Sequence, residues 1–247
     1  RNPYRNGADG GAGTHGTCQR VETAMRRIET PQIKVCGITR EQEIRWLLEE
    51  RVEYLGMVLF CPKSKRNLEI ERAAELLVYG KEQEQGTGRT IQTVAVMVSP
   101  TKEQLEQAEN LGFDFLQLHG AIEPEILRQA TLPVIRAVQM SEDRIMTESV
   151  NGEGNIVAKL YDAASPGSGK AFDWNRLAEI SRKQEQKLFL AGGLTPENVA
   201  EAIRTVHPDV VDVSSGVEAE PAEGKGFAGK EKEKIRRFVK AVRANRD

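Results

Sequence analysis

From residue 32 onward the chain repeats one pattern: a short apolar run of strand length, a turn, then a polar-faced stretch of helical period. Strand-sized runs fall at 32–38, 54–60, 91–98, 115–119, 133–138, 155–162, 187–191 and 209–214. Between them, helical period is read at 40–51, 69–78, 102–110, 124–130, 142–149, 174–182 and 196–206, and 230–245 closes the chain. Strands that alternate with helices build parallel sheets, and eight units predict a sheet closed on itself. The expectation is an α/β fold, a single (βα)8 TIM barrel, and the 247 residues agree with the roughly 250 that such a barrel takes. Thr195-Pro196-Glu197-Asn198 adds a local check, because threonine caps a helix whose first position is proline.

The first thirty residues do not share the pattern. They are rich in glycine and polar residues, and read as a disordered or weakly helical extension (1–30) ahead of the barrel domain (31–247). The net charge of -2, with signs interspersed, offers no basic stripe for a nucleic-acid backbone. Apolar runs such as Val94 to Val98 are far shorter than the ~20 residues of a membrane-spanning helix. Cys18, Cys36 and Cys61 are odd in number, lack metal-ligand spacing and come without a secretory signal. A cytoplasmic chain with no disulfide framework and no metal is expected.

Residues two apart in a strand face the same side, so the pattern also sorts side chains. In 32–38, Ile33 and Val35 are predicted to face the helices while Lys34 and Cys36 point into the barrel. In 115–119, Leu116 and Leu118 go outward and Gln117 and His119 inward. In 209–214, Val211 and Val213 go outward and Asp212 and Ser214 inward, and 155–162 ends on an inward Asp162. Polar groups therefore gather at the carboxyl ends of several strands, where such barrels keep their chemistry. A core has little use for them, since each unpaired polar group it buries costs roughly 1–3 kcal/mol. At this point Cys36 keeps two readings, a small buried hydrophobe or a reactive group facing a ligand.

Two glycine turns describe part of that ligand. Ala191-Gly192-Gly193-Leu194 ends the seventh strand and Ser214-Ser215-Gly216-Val217 the eighth. The loops after those strands often hold a phosphate, and glycine lets backbone N–H groups approach it closely.

Lys34-Val35-Cys36-Gly37-Ile38-Thr39, Gln117-Leu118-His119-Gly120, Leu190-Ala191-Gly192-Gly193-Leu194-Thr195-Pro196-Glu197-Asn198-Val199 and Val211-Asp212-Val213-Ser214-Ser215-Gly216-Val217-Glu218 lie on the predicted mouth. In this order and spacing they resemble the phosphoribosylanthranilate isomerases of tryptophan biosynthesis, from about residue 32 to the C-terminus. The resemblance implies a ketol isomerase without cofactor or metal. Its reaction is the Amadori rearrangement of N-(5-phosphoribosyl)anthranilate to 1-(2-carboxyphenylamino)-1-deoxyribulose 5-phosphate, by general acid–base catalysis.

Residue by residue, the resemblance implies Cys36 as general base and Asp162 as general acid. It implies Arg66, in Pro62-Lys63-Ser64-Lys65-Arg66, as the contact for the anthranilate carboxylate, although those cations alone would read as a solvated cluster. Lys65 stands where many members carry proline. Gln117, His119 and Asp212 are implied to bind substrate. His119 reads equally as a satisfied barrel histidine, and Asp212 as an orienter of the phosphate turn. Gly192, Gly193, Ser214, Ser215 and Gly216 are the implied phosphate site, and Gly167-Ser168-Gly169-Lys170 a loop over the mouth. Trp46, Trp174 and Cys61 are expected to pack. The implied partner is a phosphoribosyl small molecule, with no nucleic acid and no membrane. Monomer and homodimer both stay open, as does fusion to or association with another tryptophan-pathway enzyme. Fold alone leaves another phosphate-binding barrel enzyme and a non-catalytic phosphate binder in contention.

Overall fold

The computed structural model describes residues 30–140, 145–146, 155–162, 174, 177, 186–221 and 226–244. Ten strands form one sheet: β1 (Gln32–Cys36), β2 (Tyr54–Leu59), β3 (Asn67–Leu68), β4 (Gln92–Val98), β5 (Phe115–His119), β6 (Val134–Met140), β7 (Ile145–Met146), β8 (Ile156–Asp162), β9 (Lys187–Ala191) and β10 (Val210–Val213). All but β3 and β7 run parallel in a ring, which closes because β1 bonds both β2 and β10. The predicted (βα)8 barrel is therefore the fold, and each of the eight sequence-read runs supplies one of its strands.

Six helices lie within the described residues: α1 (Glu41–Glu49), α2 (Ile70–Thr87), α3 (Lys102–Asn110), α4 (Pro124–Gln129), α5 (Val199–Val206) and α6 (Lys232–Arg243). Trp174 and Leu177 are also helical. Besides the two-residue strand β3, which the sequence reading lacks, three elements differ from it. Helix α2 runs past residue 78 to Thr87, because Lys81 to Gln85 are strong helix formers and the stop comes only at Gly88, whose φ of 64° caps it. Helix α5 starts at Val199, later than the proline suggests. Thr195 to Asn198 form a turn ahead of it, with Thr195 Oγ1 accepting from the Glu197 N–H (3.2 Å) and Asn198 Oδ1 from the Thr195 N–H (2.8 Å).

The third difference is a correction. The spacing predicts a helix at 142–149, yet Ile145–Met146 pair antiparallel with Gln139 and Met140 at the end of β6. The register of β5 with β6 ends at Arg136, so the last residues of β6 have an open edge on that side, and the β-branched Ile145 and its neighbour take it. The remainder of 142–149 lies outside the described residues, as do 1–29 and the 167–170 loop.

Alternation divides the apolar residues into two cores. Ile33, Val35, Leu116, Leu118, Val211 and Val213 pack outward against the helices, with Trp46 and Trp174 beside them. Tyr54, Val94, Val96, Ile135, Ala158, Leu160, Phe189 and Val210 fill the barrel, with Cys36 and Cys61 against them. At the amino end of the strands the rings of Phe115 and Phe189 meet Tyr54 edge-on at 5.8 and 5.5 Å between centroids. Lys187 Nζ lies 3.0 Å from Gln32 Oε1 and 3.2 Å from the Tyr54 hydroxyl, closing the floor. Among the described residues no helix is long and apolar enough to cross a membrane.

Glu43, on α1 and fully buried, ties the mouth together. Its Oε2 accepts from the Thr39 and Arg40 N–H groups (2.7 and 3.2 Å) and its Oε1 from the Lys230 N–H (2.7 Å). The loop after β1 is thereby fastened to the segment before α6. Glu43→Ala would strand these donors, and is expected to lower stability by about 3 kcal/mol, read as a shift in the urea midpoint at unchanged slope.

Candidate active site

Parallel pairing brings the carboxyl ends of all eight barrel strands to one rim, and the inward positions there carry the polar groups. Lys34 on β1 stands in register with Asp212 on β10. Lys34 Nζ donates to Asp212 Oδ2 at 2.8 Å, with 0% and 6% of the two side chains exposed. That contact pushes the lysine's pKa up against the opposing effect of burial, so the ammonium is the resting form. Asp212 Oδ1 is buried and accepts no hydrogen bond among the described residues.

Cys36 sits one inward step above Lys34 and in register with Gly56 of β2. A Cβ built at Gly56 would stand 3.1 Å from both the Cys36 Sγ and the Lys34 Nζ, so thiol and ammonium converge on space that only glycine leaves open. Burial pushes the Cys36 thiol up, while the charges of Lys34 and Lys230 pull it back. Asp162 ends β8 in register with Ala191, which faces the barrel interior, and follows Ala158 and Leu160 on the inward face. Its charge reaches Asp212 and raises that carboxyl, a smaller effect there than burial or Lys34.

Arg66 lies directly over Gly37, where any Cβ would collide with its side chain. Its Nε donates to Glu218 Oε1 at 2.5 Å, and Lys65 Nζ reaches Glu218 Oε2 at 2.8 Å. Lys65 and Arg66 also stand over the Phe227 ring, at 5.4 and 6.0 Å. Burial alone would raise Glu218, but hydrogen bonds from Arg66 and Lys65 and the charge of Lys230 hold it at about 2. Arg66 is thus half-buried on an anion that it shares with Lys65 and Lys230, while the Lys65 side chain itself stays exposed.

The two glycine turns meet. Gly192 and Gly193 adopt φ of 92° and 62°, and a Cβ at Gly216 would collide with the Leu194 carbonyl oxygen. Asn198 pins the first turn by donating to the Gly193 carbonyl at 2.9 Å. The second is a short 3₁₀ turn, Ser215–Val217, entered through Ser214, whose Oγ donates to the Cys36 carbonyl at 3.0 Å. Both turns hold their backbone at the rim beside β1.

On β5, Gln117 Nε2 and His119 Nε2 lie 2.7 Å apart, which assigns the histidine proton to Nδ1 when the amide donates. Gln117 Oε1 is buried without a partner among the described residues. Burial and the charges of Lys34 and Arg136 hold His119 down at about 4, so it is neutral at pH 7.

Three residues of this rim escape a reading by motif. Lys230 donates its Nζ to the Ser214 carbonyl (3.0 Å), the Ser214 Oγ (3.3 Å) and Glu218 (3.3 Å), supporting the second turn from beneath. Arg136 holds the loop after β5 by donating to the carbonyls of Leu118 (2.7 Å) and Gly120 (2.6 Å). Glu43 is the third. An arginine inside the apolar run Val134-Ile135-Arg136-Ala137-Val138 was a visible signal, whereas Lys230 and Glu43 look like ordinary surface charges in the sequence. Among the described residues no group of three His, Cys, Asp or Glu side chains could hold a metal ion.

Comparison with known proteins agrees with this geometry. Residues 33–241 match the profile of N-(5'-phosphoribosyl)anthranilate (PRA) isomerase. The N-(5'-phosphoribosyl)anthranilate isomerase of Roseiflexus castenholzii is 37% identical over 219 residues, 86% of this chain and 98% of that protein. The crystal structure of phosphoribosyl anthranilate isomerase from Thermotoga maritima superposes with a TM-score of 0.72 at 33% identity, covering 87% of this chain and 99% of that one. A crystal structure of a phosphoribosyl anthranilate isomerase in complex with reduced 1-(o-carboxyphenylamino)-1-deoxyribulose 5-phosphate gives 0.68 at 31% identity, covering 87% and 99%. With the same barrel, a match to the family profile over residues 33–241 and identities above 30% over nearly the whole length of these relatives, the chain belongs to the phosphoribosylanthranilate isomerase family.

Proposed function

We propose that the chain catalyses the Amadori rearrangement of N-(5-phosphoribosyl)anthranilate to 1-(2-carboxyphenylamino)-1-deoxyribulose 5-phosphate, a step of tryptophan biosynthesis, as a cytoplasmic enzyme. What supports the reading is that Cys36 and Asp162 stand on inward positions of one rim, with two glycine turns beside them.

Asp162 donates its proton to the ribose ring oxygen as the C1–O bond breaks, giving an open-chain iminium. The iminium acidifies the C2 hydrogen, and the Cys36 thiolate removes it. The C2–H electron pair becomes the C1–C2 double bond of an enolamine, which tautomerises to the ketone. Backbone N–H groups of Gly192, Gly193, Ser215 and Gly216 hold the phosphate, and the Ser214 hydroxyl joins them by exchanging its hydrogen bond to the Cys36 carbonyl for one to the phosphate. Asp212 Oδ1 and Gln117 Oε1 accept from sugar hydroxyls, and neutral His119 orients Gln117. The Arg66 fork pairs with the anthranilate carboxylate while its Nε stays on Glu218. The relative solved with a reduced product analogue carries a ligand with both of these anionic ends.

The direct test generates substrate in place from anthranilate and phosphoribosyl pyrophosphate with the preceding transferase. Turnover, read as loss of anthranilate-type fluorescence, is expected without added metal or nucleotide. Thermal stabilisation by the substrate with no turnover would instead identify a binding protein. In the same assay Arg66→Ala is expected to raise KM about tenfold to a hundredfold with kcat changed far less, since a carboxylate left without its charged partner loses roughly 1.5–3 kcal/mol of binding.

A further inference from the structure

We propose that Lys34 is the positioning residue that makes Cys36 a base: its ammonium, anchored on Asp212, turns another N–H toward the Cys36 sulfur and stabilises the thiolate there. This rests on the reading of Cys36 as the proton acceptor and adds the group that lets it act.

The geometry is specific. Lys34 and Cys36 are two apart on β1, so both face inward, one layer above the other. The contact at 2.8 Å with Asp212 uses one of three ammonium donors and fixes the direction of the others. Gly56 then leaves open the point on which Nζ and Sγ converge, each 3.1 Å from where a Cβ would stand. A purely structural role explains this poorly, because a buried ion pair is on average no more stabilising than the apolar pair that could replace it. The thiol, by contrast, has a specific need. Burial disfavours its charged form, and the nearest offsetting cation is Lys34.

Other charges surround Cys36, and none takes over this task. Lys230, before α6, spends its donors on Ser214 and Glu218. Arg66, across Gly37, is committed through Nε to Glu218. His119, from β5, is neutral at pH 7, and Asp162 and Asp212, from β8 and β10, are carboxyls that oppose a thiolate. From β2 the facing residue is Gly56, which has no side chain.

The test uses the full chain carrying Cys18→Ser and Cys61→Ser, which leaves Cys36 as its one thiol. The rate of carboxamidomethylation by iodoacetamide and kcat are both measured against pH. Lys34→Met is expected to move the alkylation midpoint up by about one pH unit or more, and to lower kcat at neutral pH by about tenfold for each unit of that shift, with little change in KM. Gly56→Ala, which keeps both groups and wedges a methyl between them, is expected to shift the midpoint in the same direction by less. A folded Lys34→Met chain whose midpoint does not move overturns the proposal. If circular dichroism shows that Lys34→Met does not fold, an unmoved midpoint in Gly56→Ala overturns it in the same way. Failure of the underlying reading looks different, since a Cys36→Ala chain that keeps normal turnover removes the base but leaves the alkylation shift of Lys34→Met in place.

Discussion

Cys36→Ala is expected to lower kcat by about a thousandfold while KM stays within a few-fold, because a positioned base contributes roughly 10²–10⁴ to a proton transfer and little to ground-state binding. At neutral pH the raised thiol is uncharged in the folded and the unfolded chain alike, so its removal takes away only one small side chain and the variant should melt near the parent temperature. The measurement is steady-state fluorescence with substrate formed in place, beside a thermal melt. Turnover within tenfold of the parent would show that some other group takes the C2 proton. The pH profile sharpens the test. Turnover needs a thiolate on Cys36 and a proton on Asp162, so the kcat profile of the parent should be bell-shaped, and the residual rate of the alanine variant should lose the limb set by the thiol that burial raises.

Asp162→Asn carries the second large expectation. The amide keeps the shape of the carboxyl at the end of β8, yet it has no proton of suitable acidity for the ribose ring oxygen. A loss of kcat of about a thousandfold is expected, again with KM little affected. The two substitutions should not multiply. If ring opening and C2 deprotonation both depend on the acid–base pair, the double variant should be hardly slower than the worse single one. Near-normal turnover by Asp162→Asn would remove the acid from the scheme, whatever the outcome at Cys36.

Much of this arrangement was legible in the sequence, for reasons that can be named. The eight strands were readable because the middle of each is covered on both faces, which leaves runs such as Val94 to Met97 with little ambiguity. The inward direction of Lys34, Cys36, Gln117 and Asp212 followed from the period of two and holds in the structure. Less readable were elements whose cause is tertiary. Two-residue strands such as Asn67–Leu68 and Ile145–Met146 carry no periodicity, and exist because a neighbouring strand leaves an edge open. The late start of α5 depends on Asn198 bonding back to Thr195 and Gly193, which a capping rule applied to the proline does not foresee. In the site itself, the sequence shows that Lys65, Arg66, Glu218 and Lys230 are charged. That three cations share one carboxylate is a fact of the closed barrel, which joins residues some 150 positions apart.

The aromatic floor has a consequence for traffic. Tyr54, Phe115 and Phe189 stop the barrel at its amino end, so nothing that binds at the rim can leave through the bottom. Substrate and product share a single doorway and must take turns in it. A product analogue should therefore compete with substrate by simple occupancy, with no ternary complex at any concentration. The lower loops, sealed off from that doorway, are free to change for stability or assembly without entering the chemistry.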